Sequence, residues 1–173
     1  SCNSMKIKDD PFLSEILGFS CGLIADWSKP WEFGNYAFLS FKTSQFKELE
    51  EAISVGFQYI TTNVVLRRPE LNEVPPVSKG RFSVELLKKS DIPAVVRLGR
   101  ESFTLDRFHL DGRLKKEQAN VIYERWTEND CKGRAERVLV ARKNGTPIGF
   151  IALRRRAIDL LTVDRQFANQ GVG

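Results

Sequence analysis

Apolar residues gather in short blocks along the first part of the chain rather than in long stripes. From Phe12 to Ala25 they surround Gly18 and Gly22, which predicts a short entry turn and then a strand at Ser20–Ala25. Trp27, Pro30 and Trp31 follow in a loop that ends near Gly34-Asn35. The aromatic-rich run Tyr36–Phe41 reads as a second strand. Phe46, Leu49, Ala52 and Ile53 then recur at helical spacing, with Ser44 placed to cap that helix and Gly56 to end it. The β-branched and aromatic stretch Phe57–Leu66 predicts a third strand, so residues 5–68 are expected to form a small α/β unit.

Pro69, Pro75, Pro76 and Gly80 crowd a stretch that neither a helix nor a strand interior tolerates, and a linker is expected over residues 69–80. Residues 81–173 then form the larger unit. It opens with a strand at Phe82–Leu86, and Ser90-Asp91-Ile92-Pro93 supplies a capping residue and a proline in the first helical turn. Val95, Val96, Leu98 and Phe103 mark the apolar side of that helix. Leu105–Leu110 breaks the pattern, and Lys115–Asn129 predicts a second helix with Ala119, Ile122, Tyr123 and Trp126 on one face. Val138–Arg142 and Ile148–Leu153 read as two strands joined by Asn144-Gly145, both of which accept positive φ. A last strand, Ile158–Val163, runs through a polar turn into Gly171-Val172-Gly173. Between Leu153 and Ile158 the run Arg154-Arg155-Arg156-Ala157 holds no turn chemistry, and loop residues are expected to be missing there.

Composition narrows the class. No apolar run approaches the ~20 residues that span a bilayer, so no membrane role is expected. Ser1-Cys2-Asn3-Ser4 precede the single methionine, Met5, and are set aside from the fold. The three cysteines, Cys2, Cys21 and Cys131, form no CxxC pair, which speaks against a zinc site and fits a reducing, cytoplasmic setting. His109 is the only histidine, so no multi-histidine metal centre can form. A net charge of +5 suits a small anionic ligand, while nucleic acid would call for a dense basic stripe interleaved with aromatics.

The larger unit resembles the GNAT N-acetyltransferase family. The residues that carry the likeness are Pro147-Ile148-Gly149-Phe150 on the hairpin return and Leu161-Thr162-Val163-Asp164 before the final turn. Ala168-Asn169-Gln170-Gly171-Val172-Gly173 lies on the family's Q/R-x-x-G-x-G/A loop. Ala168 stands where the family has Gln or Arg, so only main-chain contacts are expected there. The small first unit, the linker, Arg107-Phe108-His109 and Tyr123-x-x-Trp126 together resemble, more narrowly, two-domain sugar-nucleotide acetyltransferases of the TDP-fucosamine type. The likeness implies an α+β fold: a mixed, mostly antiparallel sheet flanked by helices, preceded by the small α/β unit. It also implies a helix, strand, helix and strand beyond Gly173, so the natural protein is expected to continue and the GNAT domain here to be incomplete.

In function the resemblance implies transfer of an acetyl group from acetyl-CoA to a primary amine on a small acceptor, a nucleotide-linked amino sugar among the candidates. The strand before the loop is expected to carry a bulge that frees the main-chain groups of Leu161, Thr162 and Val163 for the pantetheine arm. Asn169, Gln170, Gly171, Val172 and Gly173 would cradle the pyrophosphate through N–H groups. Arg107 suits a nucleotide diphosphate and Phe108 lies beside it, while Tyr123 and Trp126 are either core or an aromatic wall for a base or sugar. Glu101, through a water, and His109 are candidate bases, although a single histidine on a loop is more often a surface residue. No metal is expected. A homodimer stays open, as does a second reading, a non-catalytic acyl-CoA-binding module on the same scaffold.

Overall fold

The computed structural model describes residues 4–67 and 82–173, so the expected linker over 69–80 lies outside the described residues. Two compact units divide the chain, Ser1–Ile60 and Thr61–Gly173.

The first unit is a three-stranded sheet in the order β1-β2-β3, with β1 Lys6–Asp9, β2 Cys21–Asp26 and β3 Phe38–Phe41. β1 runs antiparallel to β2, and β3 runs parallel to it. The expected entry turn is a helix, α1 Pro11–Leu17. Asp10 caps it, accepting from Leu13 N–H at 2.9 Å, proline occupies the first turn, and Gly18 closes it at φ 78°. α2, Phe46–Ser54, lacks the expected Ser44 cap. Thr43 acts instead: its Oγ1 accepts from Gln45 N–H at 2.8 Å and its hydroxyl donates to Glu48 Oε2 at 2.5 Å. Trp27 is the hub of this unit's core. It stacks on Phe41 with centroids 4.7 Å apart, meets Phe57 edge-on at 5.8 Å, and donates from Nε1 to Glu51 at 3.0 Å.

The predicted strand at Phe57–Leu66 is absent. Phe57 turns into the Trp27 cluster, but Val64, Val65 and Leu66 are 77%, 79% and 88% exposed. β-branched composition favours a pleated surface, and the ladder that makes a strand also needs a partner edge.

The second unit is a four-stranded antiparallel meander with two helices. β4 Ser83–Leu86, β5 Arg137–Lys143, β6 Thr146–Arg154 and β7 Ala157–Val163 lie in sequence order, so among the described residues β4 and β7 are the edges. The whole molecule is therefore a mixed α+β fold whose main sheet is antiparallel. α3, Ile92–Ser102, packs on β6, β7 and α4, which spans Lys116–Asn129. One side of the sheet is filled by Val140, Phe150, Ala152 and Leu160 together with Val95, Leu98, Ala119 and Ile122 from the helices, all buried. Each large apolar side chain in such a layer stabilises the fold by roughly 1.5–3 kcal/mol.

Two contacts fix the helices. Gly99 is where α3 crosses α4: a Cβ there would lie 2.0 Å from Thr127 Oγ1, so only glycine fits. Asp91 stands at the N-cap of α3, within the stretch expected to supply a capping residue, and makes no capping bond to it. Its carboxylate closes the preceding 3₁₀ turn by accepting from Lys88 N–H at 2.7 Å, and takes both arms of Arg142 on β5, one at 2.6 Å. Both side chains are buried, so the fork-on-carboxylate geometry is what offsets their desolvation.

The two hairpins of the meander have the same length and different chemistry. Asn144 and Gly145 turn at φ 51° and 81°, as expected. No loop is missing at the second hairpin: Arg154 pairs with Ala157, and Arg155 and Arg156 make the reversal at φ 50° and 61°. A two-residue turn of this hand needs positive φ at both positions, and arginine adopts it at a cost of ~1–2 kcal/mol per residue.

Candidate functional site

β7 carries the residues that lead to the glycine loop. The expected bulge at Leu161–Val163 lies earlier: Ile158 and Leu160 pair with consecutive residues of β6, leaving Asp159 as the extra residue, while Leu161, Thr162 and Val163 pair in register with Ile151, Phe150 and Gly149. Asp164 N–H donates to Ile148 C=O at 2.8 Å. Alternation along the ladder then turns the main-chain groups of Thr162 toward Phe150 and those of Leu161 and Val163 away from β6, onto the open edge of the sheet.

The loop beyond is built by its own side chains. Asp164 accepts from Gln166 N–H at 2.9 Å and opens a 3₁₀ turn, Arg165–Phe167, and the Lys143 ammonium sits 5.0 Å above the Phe167 ring. Asn169 and Gly171 follow at φ 62° and 75°, which curls the chain back until a Cβ at Gly173 would lie 3.8 Å from Val163 Cγ2. Among the described residues no close hydrogen bond takes up the main-chain N–H groups of Asn169, Gly171, Val172 or Gly173, while Ala168-Asn169 form a turn closed by Gln170. An open strand edge and an unspent row of donors thus meet at the end of β7.

A second grouping surrounds Tyr123. Its ring stacks on Phe103 at 4.2 Å, lies nearly parallel to His109 at 5.9 Å and Trp126 at 5.8 Å, and meets Phe108 edge-on at 6.2 Å. Burial, then the Asp106 charge and a hydrogen bond to it, push the Tyr123 phenol well above the usual tyrosine range. Asp106 Oδ1 also accepts from Phe108 N–H at 2.9 Å, and its Oδ2 lies 2.5 Å from His109 Nδ1. His109 Nε2 lies 2.9 Å from Asn120 Oδ1, so both ring nitrogens are engaged. The Arg107 guanidinium lies 4.2 Å from the centre of the Phe108 ring.

Behind the bulge sits a buried polar knot. Asp159 accepts from Trp126 Nε1 at 2.9 Å and from Arg134. Arg134 Nε lies 2.8 Å from Asp130, on the π-turn Asp130–Arg134 that ends α4. Burial above all, then the Asp159 carboxylate, raise Asp130 to about 6 against the pull of Arg134. Burial also pushes the neighbouring Cys131 thiol up to about 11, which keeps it a thiol at neutral pH.

The structure therefore brings the predicted residues together in two sets. Leu161, Thr162, Val163 and Asn169–Gly173 share the open end of β7, while Arg107, Phe108, His109, Tyr123 and Trp126 share the aromatic cluster on α4. Glu101 joins neither: it is exposed on α3, with no hydrogen bond or ion pair among the described residues. Asp106, Asn120, Asp130, Arg134 and Asp159 escaped the sequence reading. Asp106 three residues before His109 was a usable signal, as was a lone carboxylate inside the apolar run of β7. Asp130 and Arg134 offered none.

Compared with known proteins, the chain matches no family model. Over 61 residues it is 41% identical to the spore coat polysaccharide biosynthesis protein SpsD of Bacillus subtilis (strain 168), a stretch that covers 35% of this chain and 21% of SpsD. The matched stretch thus spans about a fifth of that curated relative. No helix among the described residues is long and apolar enough to cross a membrane.

Proposed function

We propose that the chain belongs to an acetyl-CoA-dependent N-acetyltransferase acting in polysaccharide biosynthesis, with a primary amine on a small acceptor, a nucleotide-linked amino sugar, as its target. The observation that carries the reading is the open edge of β7 running into the free N–H groups of Asn169 and Gly171–Gly173. Leu161 and Val163 offer main-chain donors and acceptors to an extended, amide-bearing arm in the way an added strand would pair. Asn169–Gly173 then meet its pyrophosphate with N–H groups. The partial similarity to SpsD supports a sugar-related role. Acetyl-CoA would supply the acyl group as a thioester: the new C–N bond forms as the C–S bond breaks, and the amine gives up a proton while the leaving thiolate gains one. The aromatic cluster, with Arg107 beside Phe108, is the acceptor side of this reading, and a cytoplasmic setting goes with it.

A second reading is a non-catalytic acyl-CoA-binding module. It is favoured by one observation: His109 has both ring nitrogens in contact with Asp106 and Asn120, which leaves neither open to an incoming amine. An assay of CoA-thiol release over a panel of amino-sugar nucleotides separates the two. Thermal stabilisation by acetyl-CoA without turnover selects the second, and neither binding nor turnover removes both. Gly171→Glu is expected to abolish acetyl-CoA binding, and Gly171→Asn, which tolerates the same positive φ, to weaken it. Unchanged affinity of both variants by calorimetry would overturn the loop assignment.

A further inference from the structure

The Arg155-Arg156 turn combines two features that call for a joint explanation. The first is backbone strain. Both residues hold positive φ, at 50° and 61°, where the neighbouring hairpin of the same sheet uses Asn-Gly. Glu136 is committed to holding the turn, its Oε1 accepting from Arg155 N–H at 3.1 Å while its own N–H donates to Leu153 C=O at 2.9 Å. A sequence free to change would relieve this strain with a single Asn-Gly pair.

The second feature is uncompensated charge. Several arginines of the second unit are paired: Arg100 with Glu117 and Glu124, Arg113 with Asp111, Arg134 with Asp130 and Asp159, Arg142 with Asp91 and Glu85. Arg154, Arg155 and Arg156, with Arg137 opposite Leu153 on β5, have no ion pair among the described residues. Thr61–Gly173 holds twenty-two Lys and Arg against fourteen Asp and Glu, whereas Ser1–Ile60 holds five against eight. Arg154, Arg155 and Arg156 set three guanidinium groups without ion pairs side by side on one strained turn, where the Glu136 carboxylate is taken up by the Arg155 N–H.

We infer that the Arg154–Arg156 turn, with Arg137 beside it, is an anion-binding site for a small diphosphate-bearing ligand. A guanidinium fork matches phosphoryl oxygens two at a time, and several forks on one tip suit adjacent phosphoryl groups. Nucleic acid would need a longer stripe of free cations than one three-residue turn presents. Electrostatic gain from the ligand also accounts for arginine persisting where backbone sterics favour Asn-Gly. The inference does not depend on acetyl transfer, since the turn lies at the opposite end of β7 from Asn169–Gly173.

The test uses a variant that should fold better than the native chain. Arg155→Asn with Arg156→Gly removes both guanidinium groups and installs the preferred turn. Titration calorimetry with inorganic pyrophosphate is expected to show binding to the native chain that weakens as salt rises. In the variant it should be at least ~10-fold weaker, with a melting temperature equal to or above native. Arg137→Gln should give a smaller loss. Equal pyrophosphate affinity in native and variant chains, or none in the native chain, overturns the assignment. So does a DNA duplex that binds more tightly than pyrophosphate with a steep salt dependence, which would make the turn a polyanion contact.

Discussion

Replacing Asp130 by Asn should make the protein more stable at neutral pH, although Asp130 sits within reach of an arginine. The reason is the sign of the linkage. Burial holds this carboxyl at about 6, above its ordinary 3.8, so the fold prefers the protonated form. The stability this confers is fully present below the unfolded value of 3.8 and is lost as pH rises through about 6. At ~1.4 kcal/mol per pKa unit, full ionisation costs the native chain up to ~3 kcal/mol by pH 7.5. Asparagine has nearly the same shape, carries no charge, and keeps an N–H donor toward Asp159, while Arg134 retains Asp159 as its partner. Thermal melts followed by circular dichroism at pH 4 and pH 7.5 read the effect directly. The variant should melt ~4–10 °C higher than native at pH 7.5 and match it at pH 4. A variant equal to or below native at pH 7.5 would refute the reasoning, because Arg134 would then be a full counter-charge.

Other outcomes follow from the same contacts. Asp159→Asn should lower the pH midpoint of the native transition, since the Asp159 charge is one cause of the raised Asp130 value; a pH series of melts reads this. Gly99→Ala should lose roughly 1–3 kcal/mol in urea denaturation despite alanine's helix propensity, because its Cβ would press into Thr127, and adding Thr127→Ala should recover part of the loss. Asp91→Ala leaves Arg142 buried without its main partner and should cost ~3–5 kcal/mol by the same assay. The Arg142 hydrogen bonds hold the Asp91 carboxyl below the ordinary aspartate range. Its contribution is therefore present at neutral pH and fades as acid titrates it, so Asp91→Ala should resemble native more closely in strong acid.

Much of the second unit was legible because its signals were local. Asn144-Gly145 announced a hairpin through backbone sterics alone, and the face of Ala119, Ile122 and Tyr123 followed from helical spacing. Failures came where partners are distant. Phe57–Leu66 has strand composition, and composition does not reveal whether an edge is free to receive it. Ser90-Asp91 read only as a helix-capping pair because its neighbours in sequence were visible and Arg142, fifty-one positions from Asp91, was not. α1 was missed as a periodic pattern because seven residues give barely two turns, although Asp10-Pro11 and Gly18 marked both its ends. At the candidate site, the loop glycines and aromatic residues could be picked out by type. The shift of the bulge to Asp159 could not, since it depends on Trp126 and Arg134 reaching the strand from α4 and the turn after it.

The meander also has a kinetic meaning. β5, β6 and β7 are joined by two-residue turns, so their contacts close over short loops and at small entropic cost. The Arg142–Asp91 pair and the packing of α3 on β7 join segments far apart in sequence. Folding is therefore expected to nucleate on the three-stranded meander, with β4 and α3 docking onto it afterwards. Truncating Phe150 should slow refolding, whereas truncating Val95 should mainly speed unfolding; the reverse pattern in stopped-flow kinetics would place the nucleus in the helices. With arginines at one tip and Asn-Gly at the other, the first hairpin should close before the second.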